Sequence, residues 1–288
     1  MSLVVNTNVG SLNAQRSLTA SASELKTAME RLSSGKKINS AADDAAGFAI
    51  AERMTAQIRG LNMATKNAND GLSMLAVIEN ATNDVTDMLH RMRELAVQAT
   101  NDTNGNQDKA YLNGEVNQLL QEIDRVASQT QYNGQTVLDG NFNGKSIQVG
   151  TEAGQDITFS IDGIKTTDLG LAYVDDNGTA GDDSDDYWAA DIDLVSDPSA
   201  ALAKISNAIE QVAGDRAEYG ALQNRLEYTV SNLMNVAEFT TAARSRIEDA
   251  DFAAESARLA KAQVLQQTGT AMLAQANASS QLALSLVR

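Results

Sequence analysis

Apolar residues recur at helical spacing through most of the chain, and at both ends they follow the alternating steps of four and three residues found in coiled coils. Near the N-terminus these positions are Leu18, Ala22, Leu25, Met29 and Leu32. Near the C-terminus they are Ala262, Leu265, Gly269, Met272, Ala276, Ser279, Ala283 and Leu286. Each row predicts a helix that needs a helical partner, either in the same chain or in another copy. The small residues of the second row permit close packing but bury little apolar area.

A much longer helix is predicted after the first one. Gly35 is a helix stop, and Ser40 followed by Asp43 resembles the capping box that begins a helix. Apolar residues then hold one helical face as far as Ala99. A helix over residues 44–99 would be roughly 80 Å long, which exceeds the usual length in globular proteins.

The rest of the chain combines two more helices with a short β region. Apolar spacing predicts a helix over Leu112–Val126 and a long return helix over Leu202–Ala237. Between them, over residues 132–171, Asn-Gly and Asp-Gly pairs bound short alternating segments, which predicts hairpins. The predicted fold class is therefore mainly α: a long helical rod or coiled-coil bundle with a small β-hairpin region.

Composition and charge exclude several classes of partner and of functional site. The chain has 22 Lys and Arg against 38 Asp and Glu, a formal net charge of −16, which argues against nucleic acid or an anionic membrane as a partner. It has no Cys and one His, His90, so disulfides, Cys/His zinc sites and two-histidine metal motifs are excluded. We predict no metal and no cofactor. The chain also lacks a membrane-length apolar run and a typical secretory signal peptide.

Acidic residues are concentrated in one part of the chain. Residues 151–200 contain thirteen carboxylates and a single basic residue, Lys165. Their centre, Asp175 to Asp186, is rich in Gly and Asp and is predicted to be a solvated loop. It lacks the ligand spacing and the late bidentate Glu of an EF-hand, which argues against a calcium site.

Ordered sequence blocks at both ends resemble the bacterial flagellins, the subunits of flagellar filaments. The N-terminal half contains VNTN (5–8), SLNAQR (11–16), ERLSSG (30–35), INSAADDAAG (38–47), MTAQIRGLN (54–62) and RMRELAVQA (91–99). The C-terminal half contains QNRLE (223–227), SRIEDAD (245–251) and GTAMLAQAN (269–277). So many blocks in the same order make the resemblance specific.

The resemblance implies a division of the chain in which both termini pair. Residues 1–44 and 247–288 would form an inner coiled-coil domain, and residues 45–246 a shaft domain with the hairpins. Only about residues 172–198 remain for an outer segment, which is predicted to be a short acidic loop, so the chain resembles a short flagellin that nearly lacks the outer domains. The implied assembly seam between subunits consists of Leu18, Leu25, Met29, Leu32, Leu265, Met272 and Leu286.

The resemblance also implies partners and a location. The main partner is the chain itself, in a helical homopolymer outside the cell that serves swimming. Further partners are the type III flagellar export apparatus, a secretion chaperone, and the filament cap and hook-associated proteins. Arg91, Leu95 and Glu115 match positions that an animal Toll-like receptor for flagellin recognises, and packing between neighbouring shafts is the alternative role for these residues.

Other classes of protein fit the sequence less well. A hook-filament junction protein would share the terminal rows, but the block at 91–99 and the complete C-terminal motif favour the filament subunit. A chemoreceptor-like coiled coil would carry membrane segments and an uninterrupted helical hairpin. An enzyme is the weakest alternative, because no nucleophile, metal or phosphate motif appears.

Overall fold

The computed structural model describes residues 7–175 and 187–285, and it contains long helices with three small strand pairs. The helices are α1 (Val9–Ser34), α2 (Ala45–Ala99), α3 (Asn106–Gln129), α4 (Pro198–Glu248) and α5 (Phe252–Ser285). The predicted mainly α fold class is confirmed. No helix within the described ranges has an apolar stretch long enough to cross a membrane. Leu286 and nearly all of the acidic loop, residues 176–186, lie outside the described residues.

Local hydrogen bonds explain where the first two helices begin and end. The Asn8 side chain caps α1 by accepting from the Ser11 N–H at 3.0 Å, and Gly35 ends the helix with φ 71°, as predicted. α2 begins at Ala45, one residue from the predicted 44, but the predicted capping box at Ser40 and Asp43 does not cap it. The carboxylate of Asp44 accepts from the Ala46 and Gly47 N–H groups and caps α2.

Asp43 has a different role from the one expected of it. Its carboxylate accepts the N–H groups of Asn39 and Ser40 in the turn before α2, and these bonds hold its pKa below the ordinary value. The short side chain of Asp44, one residue nearer to the helix, is what reaches the free N–H groups.

The strands form three antiparallel pairs. β1 (Gln131–Tyr132) and β2 (Gln135–Thr136) are joined by Asn133 and Gly134, with φ 50° and 77°, so the predicted Asn-Gly turn is confirmed. β3 (Lys145–Gln148) pairs with β4 (Asp156–Phe159). β5 (Ala172–Asp175) pairs with β6 (Tyr187–Ala190), which corrects the prediction that all of 172–198 is loop. These segments are rich in residues that favour strands, including Tyr and Trp.

The described residues fall into two compact units. Unit 1 comprises the described residues of Met1–Arg59 and Ala237–Arg288, and unit 2 comprises those of Gly60–Val236. Unit 2 holds a continuous core in which α2, α3 and α4 contribute large, fully buried side chains. Among them are Leu75, Ile78, Leu89, Met92, Leu120, Ile123, Ile205 and Val212.

The β region of unit 2 packs tightly against the helices. A Cβ added to Gly71 of α2 would lie 2.4 Å from Cδ1 of Ile147 in β3, so the end of the Ile147 side chain occupies the space that a larger residue would need. The Asn67 side chain donates to the carbonyl of Gln148 at 3.1 Å. The buried Thr166 is fixed to α3, because its N–H and hydroxyl both donate to the carboxylate of Asp124.

Candidate functional site

The paired terminal helices of unit 1 carry most of the residues predicted for the assembly seam. α1 and α5 run antiparallel, since the Asn8 side chain donates to the carbonyl of Ala276 at 2.8 Å while Arg31 reaches Glu255 at the opposite end. The face of α1 towards α5 is marked by reduced exposure at steps of three and four residues. It consists of Ser11, Ala14, Leu18, Ser21, Leu25, Ala28 and Leu32.

The complementary face of α5 follows the same steps. It consists of Glu255, Leu259, Ala262, Gln266, Gly269, Leu273 and Ala276. A Cβ added to Gly269 would lie 3.4 Å from Cδ1 of Leu18, so the absence of a side chain there brings the two helices close together. The contact between α1 and α5 is thus built largely from small residues with a leucine at intervals.

Polar contacts fix the register of the two helices at one end. Glu255 is buried and lies 3.9 Å from Arg31 and 3.3 Å from Arg258. Just beyond, the N–H of Lys37 donates to the carbonyl of Glu248 at 2.7 Å, and that of Ala250 donates to Gly35 at 2.9 Å. These backbone bonds join the segment after α1 to the segment before α5. Sequence analysis missed Glu255, which lies seven residues before Ala262, and Gln266, which takes the place of the predicted Leu265 on the face towards α1.

The seam residues predicted from sequence fall into two groups. Leu18, Leu25 and Leu32 are half-buried on the face of α1 towards α5. Met29, Leu265 and Met272 are not part of these two faces and are 56%, 40% and 64% exposed. Leu286 lies outside the described residues. The pair of helices therefore uses some of the predicted residues within one chain and leaves others exposed.

An apolar groove, here called the terminal groove, runs along one edge of the helix pair. It has a volume of about 500 Å³. Small residues of α1 form one wall, and Leu265 and Met272 stand on the α5 wall, two turns apart. The residues lining the groove are Gly10, Asn13, Ala14, Ser17, Ser21, Leu265, Thr268, Gly269, Met272, Gln275 and Ala276. Its shape and chemistry suit an apolar helix face.

A second candidate surface lies in unit 2, where α2 meets α3. The guanidinium of Arg91 donates to Glu115 at 2.9 Å and to Glu94 at 3.0 Å, and these bonds raise its pKa above the ordinary value. Arg91 and Glu115 are exposed, whereas Leu95 is only 1% exposed and belongs to the core. The structure therefore brings two of the three predicted residues together at the surface and places the third beneath them.

Neither surface contains an arrangement suited to metal chemistry. Within residues 7–175 and 187–285, no group of three or more His, Cys, Asp or Glu side chains could hold a metal ion. The features of the two candidate surfaces are therefore apolar packing and charge pairing.

Known families match both ends of this chain, and known proteins match it over almost its whole length. Residues 5–143 match the family described as "Bacterial flagellin N-terminal helical region", and residues 202–287 match "Bacterial flagellin C-terminal helical region". The "Flagellin" of Halalkalibacterium halodurans is 40% identical over 286 residues, which cover 99% of this chain and 100% of that protein. The "Flagellar filament 33 kDa core protein" of Treponema phagedenis is 40% identical over 296 residues, covering 99% and 100%. The crystal structure of Bacillus cereus flagellin is 28% identical with a TM-score of 0.47, covering 58% of this chain and 88% of that one.

Proposed function

Because this chain belongs to the bacterial flagellins and is a structural subunit of the extracellular flagellar filament, we propose that the terminal groove is a contact through which it polymerises. The observation that carries the proposal is the exposure of Leu265 and Met272 in the free chain. Both are large apolar residues on the edge of a groove whose other wall is made of small side chains. Exposed apolar surface of this kind marks a site of protein association.

A helix from a neighbouring copy is the occupant that we propose. The small side chains of Gly10, Ala14 and Ser17 leave room for a third helix to approach closely. Burying Leu265 and Met272 against it would contribute about 1.5–3 kcal/mol for each side chain that becomes fully buried. A contact between two different faces of identical subunits repeats from copy to copy, and it gives a helical polymer when the rotation between copies does not close a ring.

The aspartate variant of Leu265 tests this contact. Because the side chain is 40% exposed and lies off the contact between α1 and α5, Leu265→Asp should leave the monomer's thermal transition unchanged. In a polymer the variant would bury an unpaired carboxylate, which costs several kcal/mol or more, about twice the lost apolar burial. We therefore expect seeded filament growth, followed by electron microscopy, to stop.

Two further variants make this test specific to the groove. Leu265→Met keeps an apolar side chain of similar volume, so it should still grow filaments. Val264→Asp places the same charge one residue away on an exposed position outside the groove lining, and it should impair growth less. Normal filaments from Leu265→Asp would contradict the proposed contact.

We also propose the domain division that the resemblance implies, with residues 1–44 and 247–288 as the inner domain and 45–246 as the shaft. The support for this division is that α1 and α4 end at positions that lie next to each other. α1 ends before Gly35 and α4 ends at Glu248, and the two breaks are joined by the bridge between Lys36 and Asp249.

The remaining partners in the proposal follow from the family. They are the flagellar export apparatus, a secretion chaperone, and the cap and hook-associated proteins at the filament ends. A chaperone would cover exposed apolar residues such as Leu265 before assembly. We further propose that the Toll-like receptor for flagellin contacts Arg91 and Glu115, with the buried Leu95 holding their helix in place. The role is structural rather than catalytic, in line with the filament core protein that the chain is similar to.

A further inference from the structure

The edge of the helix pair that carries Leu265 and Met272 continues into a second, polar pocket between α1 and α5. This pocket, here called the charged pocket, has a volume of about 340 Å³, and Lys261 and Arg258 stand on its α5 wall. From Met272 to Leu265, Lys261 and Arg258 the steps are seven, four and three residues, so the four side chains lie along one edge of α5. The terminal groove and the charged pocket are therefore successive parts of one surface.

Cations outnumber carboxylates in the lining of the charged pocket. The cations are Arg31, Arg258 and Lys261, and the carboxylates are Glu24 and Glu255. The chain as a whole has the opposite balance, with a formal net charge of −16. A negatively charged group therefore suits this pocket, and a second copy of the chain has many carboxylates to offer.

Two of the three cations have hydrogen-bond donors that the rest of the described chain leaves unused. Arg31 lies 3.9 Å from the carboxylate of Glu255, which is too far for a hydrogen bond, and its Nε is buried without a partner. Lys261 is exposed and forms no ion pair within residues 7–175 and 187–285. Glu255 accepts instead from Arg258 at 3.3 Å. A further carboxylate in the pocket would supply the missing acceptor.

We infer that the charged pocket binds a carboxylate of the neighbouring copy whose helix occupies the terminal groove. This pairing rests on the proposed polymer contact and adds a charged group to it. Leu265 and Lys261 are one turn apart, roughly 6 Å along the helix axis. The neighbour's helix therefore carries a Glu or Asp about one turn from the side chain that packs against Leu265. An apolar face can slide along a groove lined by small residues, whereas a charge pair at one end selects a single register.

Charge reversal at Lys261 tests the pocket in the full-length chain. Because Lys261 is exposed, Lys261→Glu should leave the circular dichroism and the thermal transition of the monomer unchanged. The measured quantity is the critical concentration, which is the free subunit that remains beside seeded filaments. In about 0.05 M NaCl we expect Lys261→Glu to raise it at least about tenfold, because two carboxylates would then face each other. Lys261→Arg keeps the charge and should behave like the wild type.

A matched variant and a change of salt separate this pairing from a general effect of net charge. Lys26→Glu makes the same change in net charge at an exposed position of α1 outside the lining of the terminal groove and the charged pocket, so it should have little effect. In about 0.5 M NaCl the critical concentration of Lys261→Glu should approach that of the wild type, because salt screens the repulsion. An unchanged critical concentration for Lys261→Glu would overturn the pairing, and so would an equal rise for Lys26→Glu.

Leu265→Asp distinguishes a failure of the charged pocket from a failure of the terminal groove. If Leu265→Asp stops growth while Lys261→Glu polymerises like the wild type, the charged pocket is excluded and the groove contact stands. If Leu265→Asp grows normal filaments, the groove contact itself is excluded, and the charged pocket loses the neighbouring helix that it is inferred to bind.

Discussion

The two compact units of this chain are stabilised to very different degrees by their own contacts. Among the described residues, every buried leucine and valine lies in unit 2. In the same ranges the buried apolar side chains of unit 1 are small except for one: they are Ala28, Ala51, Ala262 and Ile38. A well-packed apolar core is the main source of folding stability, so unit 2 is built to fold by itself, and unit 1 gains stability when further surface is covered.

Phenylalanine shows the same contrast. In unit 2, Phe142 and Phe159 pack together with ring centroids 6.1 Å apart. In unit 1, Phe48, Phe239 and Phe252 are all exposed. A subunit that assembles after export benefits from this division, because the exposed apolar residues of unit 1 are available for contacts with other copies.

Limited proteolysis of the free monomer should give the largest difference between the units. Because α1 and α5 bury little apolar area, they should open often enough for cleavage at least about ten times faster than in unit 2. The expected product is a resistant core near residues 45–246, identified by mass spectrometry. Termini that resist as well as the core does would remove the proposed contrast.

A matched pair of leucine truncations measures the difference between the units as a change in the free energy of unfolding. Leu75→Ala removes a completely buried side chain from the core of unit 2 and should lower the free energy of unfolding by about 2–5 kcal/mol. Leu18→Ala removes a half-buried side chain in unit 1, and it should leave the main unfolding transition of the monomer unchanged. Urea titration followed by circular dichroism measures both. Equal shifts for the two variants would mean that the units unfold together.

Glycine substitutions test how tightly β3 packs against α2 within unit 2. In Gly71→Ala the new Cβ would lie 2.4 Å from Cδ1 of Ile147, so that side chain must turn away, and this cost should offset the gain of about 1 kcal/mol in the free energy of unfolding expected from helix propensity. Gly214 lies in α4 with no atom within 4 Å of an added Cβ. Gly214→Ala should therefore raise stability by about 0.5–1 kcal/mol through helix propensity. A Gly71→Ala variant stabilised as much as Gly214→Ala would show that the Ile147 side chain turns away without cost.

The sequence predicted the helices well because their apolar periodicity is long and uninterrupted, as the bounds of α2 at Ala45–Ala99 show. It predicted the seam less completely. Leu18, Leu25 and Leu32 face α5, but the positions between them are Ser21 and Ala28 rather than Ala22 and Met29. Where two helices approach closely, the smaller of two neighbouring side chains lies at the contact. Which residue that is depends on the distance between the helices.

The second candidate surface shows another limit of periodicity. Arg91 and Leu95 are four residues apart and so share a helix face, yet Leu95 is buried and Arg91 is not. A long arginine reaches solvent from the edge of a face that a leucine fills. Spacing along the helix therefore gives the neighbours of a residue but leaves its accessibility to the tertiary packing. The pairing of Arg91 with Glu115, across two helices, also required the structure.

The smallest effect on stability is expected from the pair formed by Arg91 and Glu115. Both are well exposed, and exposed ion pairs contribute little because water and salt screen them, so Arg91→Ala and Glu115→Ala should leave the urea midpoint unchanged within error.

Loss of receptor binding in these variants would then report a direct contact. Arg125→Ala is the matched control, because Arg125 pairs with Glu122 and both members have the same exposed fractions as Arg91 and Glu115, 51% and 44%. Binding of the purified receptor ectodomain, measured by surface plasmon resonance, should fall for Arg91→Ala and stay normal for Arg125→Ala. Equal binding by both variants would place the receptor contact elsewhere and leave Arg91 with a role in shaft packing.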